Sequence, residues 1–160
     1  MHGKINTREA PNRTKNGNIT VLYCMKHTNN AYRDSKPLRI MQYNVAKRRE
    51  VMDSILNDKE THEYSLLLLQ EPCRTYNQKT PLLHQSWTAI EPTHLMERPP
   101  RAAIYANNKK MPPAAFEQIP VPHSDVIAIA IAAHPPFHKP TLIVNLYNSD
   151  NPKRRRSSRS

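Results

Sequence analysis

Glycine is nearly missing from this chain. There are two in 160 residues, Gly3 and Gly17, both near the start. Turns in the rest must be built from Pro, Asn, Asp and Ser, and Asn107-Asn108 is the best candidate for a positive φ. Cysteine is equally scarce: Cys24 and Cys73 make neither a disulfide framework nor a zinc set, which fits a reducing compartment. No apolar run approaches the roughly 18 residues of a membrane span. The N-terminus has no apolar stretch of the secretory type, so no signal peptide is expected and an intracellular location is.

Length predicts at most one domain. The formal charge of +11 suggests nucleic acid until it is divided along the chain. Residues 1–37 hold seven Lys/Arg against two Asp/Glu, residues 38–150 twelve against eleven, and residues 151–160 five against none. The basicity lies in two flanks around a nearly neutral middle, so net charge alone argues for no phosphate-binding surface there.

The flank at 1–36 is polar and reads as disordered, with one short extended piece at Ile19–Tyr23. The tail from Asn151 ends in Lys153-Arg154-Arg155-Arg156-Ser157-Ser158-Arg159-Ser160. It reads as a solvated run or as a nuclear-localisation or nucleic-acid patch.

Between them the pattern alternates. Leu38–Asn44 is a strand. Val51, Met52, Ile55 and Leu56 recur at helical spacing within 46–57, with a basic first turn (Lys47, Arg48, Arg49) that the helix dipole disfavours unless an anion lies near. Ser65–Gln70 follows as a strand, and strand–helix–strand implies a parallel pair. Further short strands are expected at Ser86–Ile90, Arg101–Ala106, Asp125–Ala132 and Pro140–Tyr147, the last three as an antiparallel set.

The run Leu66-Leu67-Leu68-Leu69 has no amphipathic period and reads as a strand buried on both faces. Gln70-Glu71-Pro72 ends it. An unpaired buried carboxylate would cost several kcal/mol, on the order given by, so Glu71 belongs at the strand's lip: solvated, paired or on a metal. Ligands bind at such lips in open α/β sheets, although an ordinary strand end with a solvated glutamate looks the same in sequence. Asn44 ends the first strand and Tyr147 the last. A carboxylate and an amide oxygen suit part of a Mg²⁺ site, and a tyrosine hydroxyl can orient a phosphate. The three are expected on one rim of a single sheet.

Leu38-Arg39-Ile40-Met41-Gln42-Tyr43-Asn44-Val45, Leu68-Leu69-Gln70-Glu71-Pro72, Arg101-Ala102-Ala103-Ile104-Tyr105-Ala106-Asn107 and Ile143-Val144-Asn145-Leu146-Tyr147-Asn148 occur in this order. Together they resemble the endonuclease/exonuclease/phosphatase superfamily, most closely the N-terminal endonuclease of fungal non-LTR retrotransposon polyproteins, over about 38–150. The resemblance implies an α/β fold of the DNase I-like type, a four-layer sandwich of two facing sheets. It implies a Mg²⁺- or Mn²⁺-dependent hydrolysis of a DNA phosphodiester by water. Glu71 matches the metal-binding glutamate, Asn44 the asparagine beside the metal, and Tyr147 the tyrosine on the scissile phosphate. Asn148 and Arg74 are the accompanying candidates for nucleic-acid contact. DNA is the implied partner, with a reverse transcriptase domain in the intact polyprotein.

The family also uses an Asp-x-Asn motif after the tyrosine strand and a later Asp-His pair. Neither occurs here: Asp150-Asn151 are adjacent, and His84, His94, His123, His134 and His138 match no motif. The expectation is therefore the N-terminal half of the fold, with the second sheet mostly missing and an apolar face of the first sheet uncovered. Three functions stay open: a retroelement endonuclease fragment, a phosphatase of small phosphoesters, and a catalytically dead chain that binds nucleic acid through its basic tails.

Overall fold

The structure is a computed structural model that describes residues 38–77, 80–93, 98–132 and 140–148. The flank at 1–36 and the tail at 151–160, with the readings attached to them, lie outside the described residues.

β1 (Ile40–Asn44), α1 (Arg49–Asn57) and β2 (Leu66–Gln70) form the crossover unit, and β1 and β2 pair in parallel from Ile40 opposite Leu66 to Asn44 opposite Gln70. β3 (Trp87–Ile90) and β4 (Ala102–Asn107) complete this sheet in the order β1-β2-β4-β3, with β4 antiparallel to both neighbours. β5 (Phe116–Ile119), β6 (Val126–Ile131) and β7 (Thr141–Leu146) make a separate antiparallel sheet in that order.

The leucine strand is buried on both faces, because side chains alternate across a strand. Leu66 and Leu68 join Ile40, Ile104, Ile127 and Ile129 in a core between the two sheets. Leu67 and Leu69 face the other way and pack with Met52 and Leu56 of α1, Trp87 and Tyr105. Helix, sheet and sheet are thus three stacked layers. Beyond the third, Leu142, Val144 and Leu146 of β7 are exposed.

Two expectations on topology are corrected. β4 belongs to the first sheet, and the third strand of the antiparallel set is β5, which sequence reading missed. Phe116-Glu117-Gln118-Ile119 is short and half polar, so it carries little strand signal; it is recruited by pairing to β6 from Phe116–Ile131 to Ile119–Ala128. Among the described residues the second sheet has three strands, which cover the inner face of the first, so the exposed apolar surface lies on the outer face of the second sheet rather than on the first.

The positive-φ positions among the described residues are Ala46, Lys47 and Glu71, not Asn107-Asn108. Asn107 is instead 3% exposed and works through its side chain, which accepts from the Lys109 N–H and donates to the carbonyls of His62 and Tyr64. The expected basic first turn is corrected too. α1 begins at Arg49 rather than at Ala46, with Arg48 as N-cap and Lys47 in left-handed backbone before it. The first turn thus holds Arg49 beside Glu50, and Arg49 pairs with Asp53 at 2.9 Å, one turn along.

Candidate active site

The C-terminal ends of β1 and β2 lie side by side. The Val45 N–H donates to the Gln70 carbonyl at 2.8 Å, and the Lys47 N–H donates to the Glu71 carbonyl at 2.8 Å. Between them Ala46 and Lys47 take left-handed backbone at φ 52 and 58, and Glu71 does so at φ 45. Each such non-glycine residue costs of order 1–3 kcal/mol, which surrounding contacts must offset. Here they do: Asn44 Oδ1 accepts the Ala46 N–H at 2.8 Å, and the Glu71 N–H donates to the Arg101 carbonyl at 2.8 Å. Strained positions held by hydrogen bonds cluster at functional sites, and these three flank one strand lip.

Tyr147 reaches this lip from the opposite sheet. Its hydroxyl donates to Glu71 Oε1 at 3.0 Å. The three-residue constellation therefore spans two sheets rather than one rim of a single sheet. The reason is topological: among the described residues β7 pairs with β6 alone, in the second sheet, and packs across the core from β2 and β4. Burial, together with the hydrogen bond to the Glu71 carboxylate, holds the Tyr147 phenol above its usual range. It remains a neutral donor at neutral pH.

Arg101 lies over the Tyr147 ring, its guanidinium carbon 4.4 Å from the ring centre. Asp125, 1% exposed, holds it: Arg101 Nε donates to Oδ1 at 3.3 Å and Nη2 to Oδ2 at 2.6 Å. Arg98 donates to the same Oδ2 at 2.6 Å. Burial alone would raise the Asp125 pKa, but the hydrogen bonds from Arg101 and the charges of Arg101 and Arg98 hold it below the usual carboxylate range. The same pairing raises that of Arg101.

A cleft of about 420 Å³ opens beside this group at Glu71 and Arg101, with Lys47, Arg74 and Arg98 also in its wall; Tyr147 and Asp125 stand behind that wall. Arg74 is largely committed within the protein: its guanidinium pairs with Glu91, and its side chain is 7% exposed. Asn148 follows Tyr147 and is exposed. Among the described residues no three His, Cys, Asp or Glu side chains gather to hold a metal. The oxygen donors at the lip are the Glu71 carboxylate, whose Oε2 bonds to no described residue, and Asn44 Oδ1. Hard oxygen donors of this kind suit Mg²⁺ or Mn²⁺, which keep several waters of their own. The residues present therefore fit such an ion as partial ligands.

Structure thus brings Glu71 and Tyr147 into contact and sets Asn44 one strand away. Sequence reading missed Arg101 and Asp125 as site residues. They stand 24 positions apart, Arg101 inside a strand pattern and Asp125 at a strand start, and nothing in their spacing shows that they meet. His84, which matches no motif, bonds Asn57 and the Ser86 N–H away from this cleft.

No protein-family model and no curated protein matches the sequence. Among solved structures the fold is similar to the endonuclease domain of TRAS1, a telomere-specific non-LTR retrotransposon, with a TM-score of 0.51 and 16% identity. The match covers 71% of this chain and 47% of that one, so the chain spans about half the length of the structure it resembles.

Proposed function

We propose that this chain carries the first part of a metal-dependent DNA endonuclease site of the retrotransposon type. The observation that supports it most is the Tyr147 hydroxyl set on the Glu71 carboxylate at the edge of a cleft with four cationic side chains. In this reading Glu71 and Asn44 would hold Mg²⁺ or Mn²⁺, the Tyr147 hydroxyl, whose one proton is given to Glu71 Oε1 here, would turn to a non-bridging phosphate oxygen when DNA binds, and the cations draw in the nucleic-acid backbone. When bound, the ion supplies charge stabilisation to the phosphate and a more acidic water. The protein's own part is placement: the left-handed turns and the contact between sheets fix the carboxylate and the phenol relative to each other. Asn148, next to Tyr147, and the basic tail extend the nucleic-acid contact in this proposal. Nuclear residence and a reverse transcriptase partner in a longer polyprotein belong to the same reading.

The test is Mn²⁺ binding followed by electron paramagnetic resonance, with duplex DNA binding measured alongside. The wild-type chain is expected to bind Mn²⁺ weakly and DNA in a salt-dependent manner, and Glu71→Ala to abolish the first while sparing the second. Mn²⁺ binding that is untouched by Glu71→Ala overturns the metal assignment, and absence of DNA binding overturns the substrate class.

A further inference from the structure

Asp125 is a buried carboxylate that faces two guanidinium groups, although one would neutralise it. Its side chain is 2% exposed, and Arg98 and Arg101 both reach Oδ2 at 2.6 Å. The trio keeps a net positive charge on the cleft wall. Arg98 and Arg101 are not equivalent in it. Arg98 is 47% exposed and makes one contact with the carboxylate. Arg101 is 20% exposed and makes the two-pronged contact.

A guanidinium presents five N–H donors in a rigid plane. Asp125 takes two of Arg101's. Nη1 bonds to no described residue, while the flat face of the group rests on Tyr147 and the side chain lines the cleft. Stacking and two-point anchoring remove most of the rotational freedom that makes an exposed arginine a costly ligand. The surplus donors are thereby fixed beside the Tyr147–Glu71 pair, where a planar fork suits a phosphate oxygen.

We propose that Arg101 is a phosphodiester-binding residue of this cleft and that buried Asp125, by gripping one edge of its guanidinium, is the residue that positions it. The proposal rests on the nucleic-acid reading above and adds the group that would hold the phosphate. Arg74, the arginine nearest Glu71 in sequence, is less suited because Glu91 already occupies it.

The experiment uses the full 160-residue chain and the dinucleotide dTpT, which carries one phosphodiester and too little charge to bind strongly to a basic tail. Titration in metal-free buffer is followed on the arginine Nε–H resonances. The expected result is a saturable shift of the Arg101 signal. The charge-conserving double variant Arg101→Gln/Asp125→Asn is expected to bind roughly tenfold more weakly, the scale of one charge-assisted hydrogen bond. Arg101→Lys, which can keep the ion pair with Asp125 but lacks the fork, is expected to lose affinity as well.

If the wild-type chain binds dTpT while the Arg101 signal stays still, the proposal fails and phosphodiester binding by the cleft stands. Wild-type affinity in the double variant has the same meaning, since Arg101 would then serve only to neutralise Asp125. If the wild-type chain does not bind dTpT at millimolar concentration, this proposal is overturned, while the reading beneath it is decided separately by the Mn²⁺ and duplex-DNA measurements. The wild-type resonance shift decides the matter even if a variant does not fold.

Discussion

Asn145 donates across the sandwich to the Leu69 carbonyl at 3.0 Å, two residues before the point at which Tyr147 donates to Glu71. Between these contacts, Gln70 Nε2 donates to the Leu146 carbonyl at 2.9 Å. Three consecutive residues of β2 and its lip are thus tied to three consecutive residues of β7 and its end, although the two strands belong to different sheets. Asn145 also donates to the Ala103 carbonyl of β4 at 2.9 Å. Its Oδ1 is buried without a partner among the described residues. The strength of the tie comes from burial: Asn145 is 1% exposed, and an amide there must be hydrogen-bonded to be tolerated.

Replacing Asn145 with Ala should therefore destabilise the chain by about 2–4 kcal/mol, from two lost buried hydrogen bonds and two carbonyls left with fewer partners. Urea unfolding measures this as a lower midpoint at an unchanged slope. Because the tie sets the separation of Tyr147 from Glu71, the same variant should weaken Mn²⁺ binding. A stability loss under about 0.5 kcal/mol, the range of ordinary surface substitutions, would show that the Asn145 bonds do not hold the sheets together.

The legible part of this fold was its local part. Four leucines without a helical period announced a strand buried on both faces, and that strand is the centre of the first sheet. The helix that carries Val51, Met52, Ile55 and Leu56 was also readable, because helix periodicity is a short-range signal, but its start was not: it begins at Arg49, with Arg48 as N-cap and Lys47 in the left-handed turn before it. Sheet membership was not. Whether β4 pairs with β2 or with β6 is decided by which apolar faces meet, and Ala102–Asn107 is buried throughout, so no alternation marks a preferred side. The site divided the same way. Glu71 and Tyr147 could be singled out at strand ends, but the Arg101–Asp125 grip and the bridge from Asn145 arise from tertiary neighbours far apart in sequence.

Stability should fall at both ends of the pH range, for different groups. Asp125 titrates below its unfolded value of about 3.9, because Arg101 and Arg98 outweigh the effect of burial. A depressed carboxylate contributes stability that is present above the unfolded pKa and is lost as pH falls through the folded one. Tyr147 and Tyr105 are shifted the other way, chiefly by burial. Each contributes stability that is complete below about pH 10, the unfolded tyrosine value, and is lost as pH rises through the folded value. Thermal midpoints measured from pH 3 to 11 should fall below about pH 4 and above about pH 10. Asp125→Asn should flatten the acid side only. An unaltered acid limb in that variant would show that another carboxylate dominates.

The exposed apolar surface lies on β7, not on the first sheet. Leu142, Val144 and Leu146 are 61%, 47% and 52% exposed and alternate on one face, while Ile143 and Asn145 point inward. An uncharged strand with such a face is a self-association hazard. The purified chain should therefore form soluble oligomers or aggregate at micromolar concentration. Leu142→Lys combined with Leu146→Lys should make it more monomeric without lowering its thermal midpoint. Light scattering and sedimentation velocity check both points. A monodisperse wild-type monomer would show that this face does not drive self-association.

The final prediction concerns cleavage. The 160-residue chain should bind duplex DNA with an affinity that falls steeply with salt, yet nick supercoiled plasmid slowly or not at all in Mg²⁺. Hydrolysis of a phosphodiester needs a positioned water and several groups aimed at the developing charge. At this cleft Glu71 offers one carboxylate and Tyr147 one hydroxyl, while Asp125 is already gripped by two arginines. Among the described residues no histidine or second free carboxylate lines the cleft to orient the water. Absence of even one stabilising donor typically lowers the rate by about 10²–10³, and several together need not multiply but do not cancel. Slow nicking above background should disappear in Glu71→Ala, and Tyr147→Phe should reduce it by a smaller factor. Rapid Mg²⁺-dependent nicking that Glu71→Ala abolishes would show that one carboxylate, one hydroxyl and the arginine wall are sufficient for the chemistry.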